Sequence, residues 1–92
     1  MARVAVSARI TGRVQGVAFR AWTRNEAERR GLSGWVRNEP DGSVRALLIG
    51  PADAFSAMLE ALKDGPPAAR VSQVLTETVD PQPGLAGFRI TR

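Results

Sequence analysis

The stretch Gly31-Leu32-Ser33-Gly34-Trp35-Val36-Arg37-Asn38-Glu39-Pro40-Asp41-Gly42-Ser43-Val44-Arg45-Ala46-Leu47-Leu48-Ile49-Gly50 decides the fold of this chain. Alternation places Leu32, Gly34 and Val36 on one face of a strand over 32–37, with Trp35 and Arg37 on the other. Asp41-Gly42 is among the strongest short hairpin signals, and Pro40 just before it favours a turn over Asn38–Gly42. Ser43–Ile49 is then a second strand, antiparallel to the first. Gly31 is a fitting stop for a helix that ends there.

On the N-terminal side of this hairpin, Phe19–Arg30 is rich in Ala, Glu and Arg and holds no Pro, which predicts a helix. Gly12–Ala18 reads as a loop, and Val4, Val6, Ala8 and Ile10 share one face of a half-buried strand over 4–10. On the C-terminal side, Gly50-Pro51 is expected to open a second helix, with Pro51 at its first position and Asp53 in its first turn. Phe55, Met58, Leu59 and Leu62 form one apolar stripe along it, suited to core packing, and Gly65-Pro66-Pro67 ends it. Arg70–Val79 is a further strand, although Val71 and Val74 fall on opposite parities. A loop from Pro81 to Gly87 and a short strand, Phe88-Arg89-Ile90, complete the pattern.

The order β-α-β-β-α-β with a short C-terminal strand specifies an α+β, ferredoxin-like two-layer sandwich. The expected sheet is of antiparallel type, with both helices on one face. A length of 92 residues suits one domain over 1–92, and a free-standing one rather than a fragment of a larger enzyme. The longest aliphatic run, Ala46–Ile49, is far below the roughly 20 residues of a membrane-spanning helix. The start, Met1-Ala2-Arg3-Val4, has no signal-peptide apolar region, so a cytoplasmic location without membrane attachment is expected.

Composition narrows the chemistry. The chain has no Cys and no His, which removes thiolate and imidazole catalysis and the common thiolate and imidazole metal sites. Arg, Asn, Thr, Ser, carboxylates, backbone amides and the substrate itself remain. The net charge is +4, with a pI near 11.3, and Lys63 is the single lysine among thirteen cations. Arginine suits planar oxyanions, although a solvated surface or a biased codon composition accounts for most of the excess.

In this fold the carboxyl ends of the first two strands lie at one edge of the sheet. The Gly12–Phe19 loop and the Asn38 turn therefore meet there, bringing Arg20 near Asn38. Two glycines in the loop allow close backbone approach, and the loop feeds a helix N-terminus with free amides and a partial positive charge. Arg20 sits in the first helical turn, where a cation is slightly unfavourable for the dipole. Composition alone leaves two readings open: an oxyanion cradle in which Arg20 binds bidentately, or a simple turn with Arg20 on the surface.

Two motifs bear on that choice. Gly12-Arg13-Val14-Gln15-Gly16-Val17-Ala18-Phe19-Arg20 resembles the acylphosphatase signature G-x-V-Q-G-V-x-F-R, and Gly31–Asn38 resembles the family's G-L-x-G-x-V-x-N. Asp41-Gly42-Ser43-Val44, Gly50-Pro51, Gly65-Pro66-Pro67, Ala69-Arg70-Val71 and Phe88 fall on similar landmarks, so the resemblance spans nearly the whole chain. It implies a hydrolase that splits acyl phosphates into a carboxylate and inorganic phosphate, without metal, cofactor or phosphoenzyme. It further implies that Arg20, with the amides of Gln15, Gly16, Val17, Ala18, Phe19 and Arg20, binds the phosphoryl group. Asn38 would hold the attacking water in line and Thr23 would support the site. The partners implied are small acyl phosphates, with inorganic phosphate as product and inhibitor, and a monomer is expected. For Gln15 itself, the side chain is expected to shape the loop rather than touch ligand. Arg30 departs from the Leu or Ala common at its position, which bears on the packing of the first helix.

The chemistry agrees with a site that lacks His. A carboxylate leaving group has a pKa near roughly 4 and departs without a general acid, whereas an alkoxide would need one. A binding module for RNA is the competing reading, since this fold hosts such domains and the chain is basic. No Tyr and only three Phe leave its strands without the stacking aromatics that reading requires, so no nucleic-acid partner is expected. A non-catalytic regulatory domain is disfavoured by the presence of both Arg20 and Asn38.

Overall fold

A computed structural model describes residues 3–80 and 85–91. The elements along the chain are β1 (Arg3–Arg13), α1 (Phe19–Arg29), β2 (Ser33–Asn38), β3 (Val44–Pro51), α2 (Asp53–Asp64), β4 (Arg70–Val79) and β5 (Phe88–Ile90). They build a single sheet in the order β4-β1-β3-β2-β5. Of the loop expected over Pro81–Gly87, positions 81–84 lie outside the described residues, as do Met1 and Ala2.

The sheet is mixed rather than purely antiparallel. β1 pairs antiparallel with β3 and β4, and β2 antiparallel with β3, but β5 runs parallel to β2, with Gly34 opposite Phe88 and Val36 opposite Ile90. β4 and β5 occupy opposite edges of the sheet, so no local hairpin joins them. Several boundaries also differ from expectation, and Asn38, expected in the turn, is the last residue of β2. β1 continues through Arg13 and so includes Gly12, and Pro51 ends β3 opposite Arg3 instead of opening a helix. Proline lacks an amide to donate, which costs little at the end of a strand. α2 starts at Asp53, preceded by Ala52.

Alternation divides the sheet into two faces. Val6, Ala8, Ile10, Val36, Val44, Ala46 and Leu48 pack in the main core with Phe19 and Ala27 of α1 and with Phe55, Met58 and Leu62 of α2. Both helices therefore cover the same face, and the expected stripe of α2 is its buried side. Ala5, Leu47 and Ile49 form a smaller cluster on the other face with Trp35 and Val79. The Arg37 guanidinium lies 4.7 Å from the Trp35 ring centroid there, a cation–π stack on the helix-free side. α1 stops where the sequence indicates: the Leu32 amide donates to the Ala27 carbonyl and the Gly31 amide to that of Glu28, a Schellman closure with Gly31 at φ 71°. Arg30 is accommodated at this end by bonds to Glu26, 2.6 Å to its carboxylate and 3.1 Å to its carbonyl. The hydrogen bond from Arg30 is the main influence that lowers the Glu26 pKa, and the charges of Arg29 and Arg30 add to it.

The parity conflict in β4 has a physical cause. Thr11 pairs with Gln73 but Gly12 pairs with Val71, so Ser72 is an extra residue on β4. This bulge switches the alternation, and Val71 and Val74 both pack against the main core. Gly12 makes the bulge possible: at φ 120°, a Cβ built on it would lie 2.2 Å from the Arg70 carbonyl oxygen and 2.7 Å from the Ser72 amide nitrogen. Gly12→Ala is expected to cost at least about 2 kcal/mol of stability through backbone strain and separation of β1 from β4. Urea unfolding should show a midpoint lower by about 1 M or more with little change in slope. A midpoint shift smaller than about 0.3 M would mean that the bulge relaxes at no cost.

Candidate active site

The loop between β1 and α1 is pinned by buried side chains at both ends, Val14 and Phe19, exposed by only 1% and 2%. The Phe19 ring also packs against Trp22 at a centroid distance of 5.4 Å. Between these anchors the backbone turns sharply. Gly16 has φ 75°, and Ala18, the residue before α1, is left-handed at φ 61°, ψ 24°. A left-handed alanine costs about 1–2 kcal/mol. No side chain caps the first turn of α1, and it holds no acidic residue. The helix start thus presents uncapped amides at its positive end.

Arg20 follows in that turn and donates from Nη1 to the Thr91 carbonyl at 3.4 Å. Thr91 in turn donates its amide to the Val36 carbonyl, two residues before Asn38 on β2. β5 thereby carries the partner of Arg20 to the edge where β2 ends. Asn38, the last residue of β2, pairs with Val44 across the hairpin. A cavity of about 200 Å³ opens between the two segments, lined by Val14, Gly16, Ala18, Phe19, Arg20 and Asn38, with Ala21 and Ile90 completing the wall. About 10–15 Å³ of such space suffices for one water, so the cavity has room for a phosphoryl group and a water together.

The Asn38 Oδ1 atom is buried and has no hydrogen-bond partner among the described residues. Leaving such an acceptor unmet costs about 1–3 kcal/mol, and a donor inside the cavity would remove that cost. The arrangement offers cationic and amide donors on one wall and an acceptor on the other, which matches an oxyanion beside a hydrogen-bond donor such as water.

The turn after Asn38 is secured from two sides. Asp41 accepts from the Ser43 amide at 2.9 Å and from the Ser43 hydroxyl at 2.6 Å, and its carboxylate pairs with Arg9. These bonds, that of the Ser43 hydroxyl foremost, bring the Asp41 pKa down to about 2. From the other side, Gln15 Nε2 donates to the carbonyls of Glu39 at 2.8 Å and Ser43 at 2.9 Å.

Of the residues singled out in the sequence, Gly16, Ala18, Phe19, Arg20 and Asn38 meet around one cavity, while Gln15, Val17 and Thr23 do not line it. Val17 packs at the margin of the core. Thr23 is fully buried, and its hydroxyl donates to the Phe19 carbonyl at 2.8 Å, tying the first turn of α1 together from within. Sequence reasoning missed Ile90 and the Thr91 carbonyl. No local signal marks them, because they reach the site through the parallel pairing of β5 with β2. Among the described residues no group of three or more His, Cys, Asp or Glu side chains is placed to hold a metal ion. No helix among them is long and apolar enough to cross a membrane.

A family model described as Acylphosphatase matches residues 6–90. A curated acylphosphatase from Rhizobium meliloti (strain 1021) is 60% identical over 90 residues, covering 98% of this chain and 95% of the relative. One from Salinibacter ruber (strain DSM 13855 / M31) is 53% identical over 87 residues, covering 95% and 92%. The crystal structure of acylphosphatase from Bacillus subtilis superposes with a TM-score of 0.92 at 36% identity, covering 97% of this chain and 99% of that one.

Proposed function

Because this chain belongs to the acylphosphatase family and is an acylphosphatase hydrolase acting on small acyl phosphates, we propose how its residues divide the reaction. The observation that carries the proposal is one cavity bounded by Arg20 and the uncapped helix start on one side and, on the other, by an Asn38 Oδ1 with no partner among the described residues. Arg20 and the amides of residues 15–20 hold the phosphoryl oxygens, and Asn38 accepts a hydrogen bond from the attacking water. The water oxygen bonds to phosphorus as the bond from phosphorus to the acyl oxygen breaks. The carboxylate leaves with the electron pair of that bond, and a phosphoryl oxygen takes the water's proton. The products are a carboxylate and inorganic phosphate, and no phosphoenzyme forms. Catalysis rests on positioning and on charge stabilisation in a loose transition state. Thr23 supports the site indirectly, by holding the carbonyl of Phe19.

The reading extends to a metal-free monomer in the cytoplasm that does not act on nucleic acid and is inhibited by its product phosphate. Benzoyl phosphate hydrolysis in excess EDTA tests the mechanism, with p-nitrophenyl phosphate as the comparison. Rapid turnover of the first and very slow turnover of the second are expected, because none of the described residues lining the cavity is a general acid for an ester leaving group. A requirement for added divalent metal would overturn the metal-free mechanism. Comparable rates on both compounds would overturn the leaving-group argument.

A further inference from the structure

We propose that the side chain of Gln15 is a positioning residue for Asn38: it straps the turn that carries the water-holding amide to the phosphate loop. This inference rests on the reading of Asn38 given above. The main-chain amide of Gln15 belongs to the phosphate loop, but its side chain has a separate task. It does not line the cavity, and its Nε2 bonds reach residues 24 and 28 positions away, the carbonyls of Glu39 and Ser43.

Those carbonyls do not need Gln15 in order to be satisfied. Glu39 O already accepts from the Gly42 amide at 3.1 Å, and Ser43 O from the Glu39 amide at 2.8 Å. A carbonyl has two lone pairs, so the turn is closed on itself and Gln15 occupies the remaining acceptor sites. The added pair of bonds joins two segments that no other hydrogen bond among the described residues links. Glu39 is the residue directly after Asn38, so this strap fixes the backbone from which the Asn38 side chain enters the cavity. Asp41 and Arg9 hold the same turn on its far side. Arg20 reaches Thr91 through one long hydrogen bond, on a route that bypasses the turn. Loss of the strap should therefore disturb water placement and spare phosphate binding. Catalytic geometry is demanding enough for this to register, since a displacement of about 1 Å can cost about 10²-fold in rate.

The test compares Gln15→Met, which keeps the length and loses both donors, with Gln15→Glu, which regains one O–H donor when protonated. Folding of each variant is checked by circular dichroism, and if Gln15→Met fails to fold, the Gln15→Glu series carries the test. With benzoyl phosphate, Gln15→Met should lower kcat by about 10–30-fold while the directly measured phosphate Kd stays within about threefold. In an Asn38→Ala background the same substitution should cost less than about threefold, because the pair acts as a unit. The kcat of Gln15→Glu should rise relative to that of Gln15→Met as pH falls through the carboxyl's titration. Independently of activity, the Asn38 side-chain amide resonances should shift in either variant, while phosphate still perturbs the amides of residues 16–20. Unmoved Asn38 resonances, or equal losses in both backgrounds, or a phosphate Kd that worsens as much as kcat, would overturn the proposal. If Asn38→Ala alone is as active as the parent, the reading of Asn38 has failed. The resonance arm still decides whether Gln15 positions its side chain.

Discussion

Arg20→Ala should bind inorganic phosphate about 100-fold more weakly than the parent chain and lose at least about 10³-fold in kcat/KM on benzoyl phosphate. The two losses have one origin. Arg20 is the cation lining the cavity, and among the described residues its guanidinium makes one hydrogen bond, a 3.4 Å contact with a neutral carbonyl, that of Thr91. A guanidinium released from so weak a partner can turn both N–H groups of its fork to phosphate, and bonds between charged groups are roughly twice as strong as neutral ones. As charge redistributes over the phosphoryl oxygens, the same fork becomes more valuable, so the rate falls further than affinity does. Arg20→Lys should recover part of the affinity but little of the rate, since an ammonium offers a point charge without the planar geometry. Calorimetric titration with phosphate and single-turnover kinetics separate the terms. Phosphate affinity within about fivefold of the parent after Arg20→Ala would remove Arg20 from the site.

Asn38→Ala should show the converse pattern. Its kcat is expected to fall by about 10² or more, the size typical of losing one preorganised group in the transition state. Phosphate affinity should change by less than about threefold, a difference under roughly 0.7 kcal/mol. Stability should hold or improve slightly, because the deleted side chain carries a buried oxygen that no group among the described residues satisfies. Thermal unfolding of the variant establishes that it folds, and direct binding measures phosphate even where turnover is too slow to follow. If folded Asn38→Ala loses phosphate as severely as Arg20→Ala does, Asn38 is a phosphate ligand or a structural residue, and the proposed division of labour is wrong.

The sequence disclosed most of the frame because its cues are local. Gly31 terminates α1 through a left-handed backbone that any C-terminal glycine suggests, and alternation separated Val36 from Trp35 and Arg37 correctly. The meeting of Arg20 with Asn38 was legible too, since it follows from strand order and handedness alone. What escaped depends on residues far apart. The conflicting parity of Val71 and Val74 needed a partner strand to reveal Ser72 as the extra residue. The parallel seat of β5, which makes the sheet mixed, needed the opposite edge to be known. Pro51 carries the same rigid φ at a strand end as at a helix start, so sequence alone could not choose between them. The start of α1 at a left-handed Ala18 contradicts propensity, which favours glycine or asparagine there. The hydrogen bonds of Thr23 and Gln15 to carbonyls at 19, 39 and 43 leave no periodic trace in the sequence.

The placement of β5 has a kinetic consequence. Its docking brings Ile90 to the cavity wall and the Thr91 carbonyl to Arg20, across 71 residues of chain. Loop closure on that scale must be accomplished before its contacts can repay the lost entropy. The interior strand β1 likewise pairs with β3 and β4, both distant in sequence, so only the β2–β3 hairpin of this sheet joins neighbouring segments. High contact order of this kind places folding in the slower, millisecond-to-second range typical of non-local sheets. The cavity is thus among the last features to mature. A chain with β1 through β4 in place would hold Phe19 and the helix start in its core while Arg20 still lacked its carbonyl tether. Recovery of catalytic competence during refolding would then report the arrival of the final strand, later than the packing of Trp22 against Phe19.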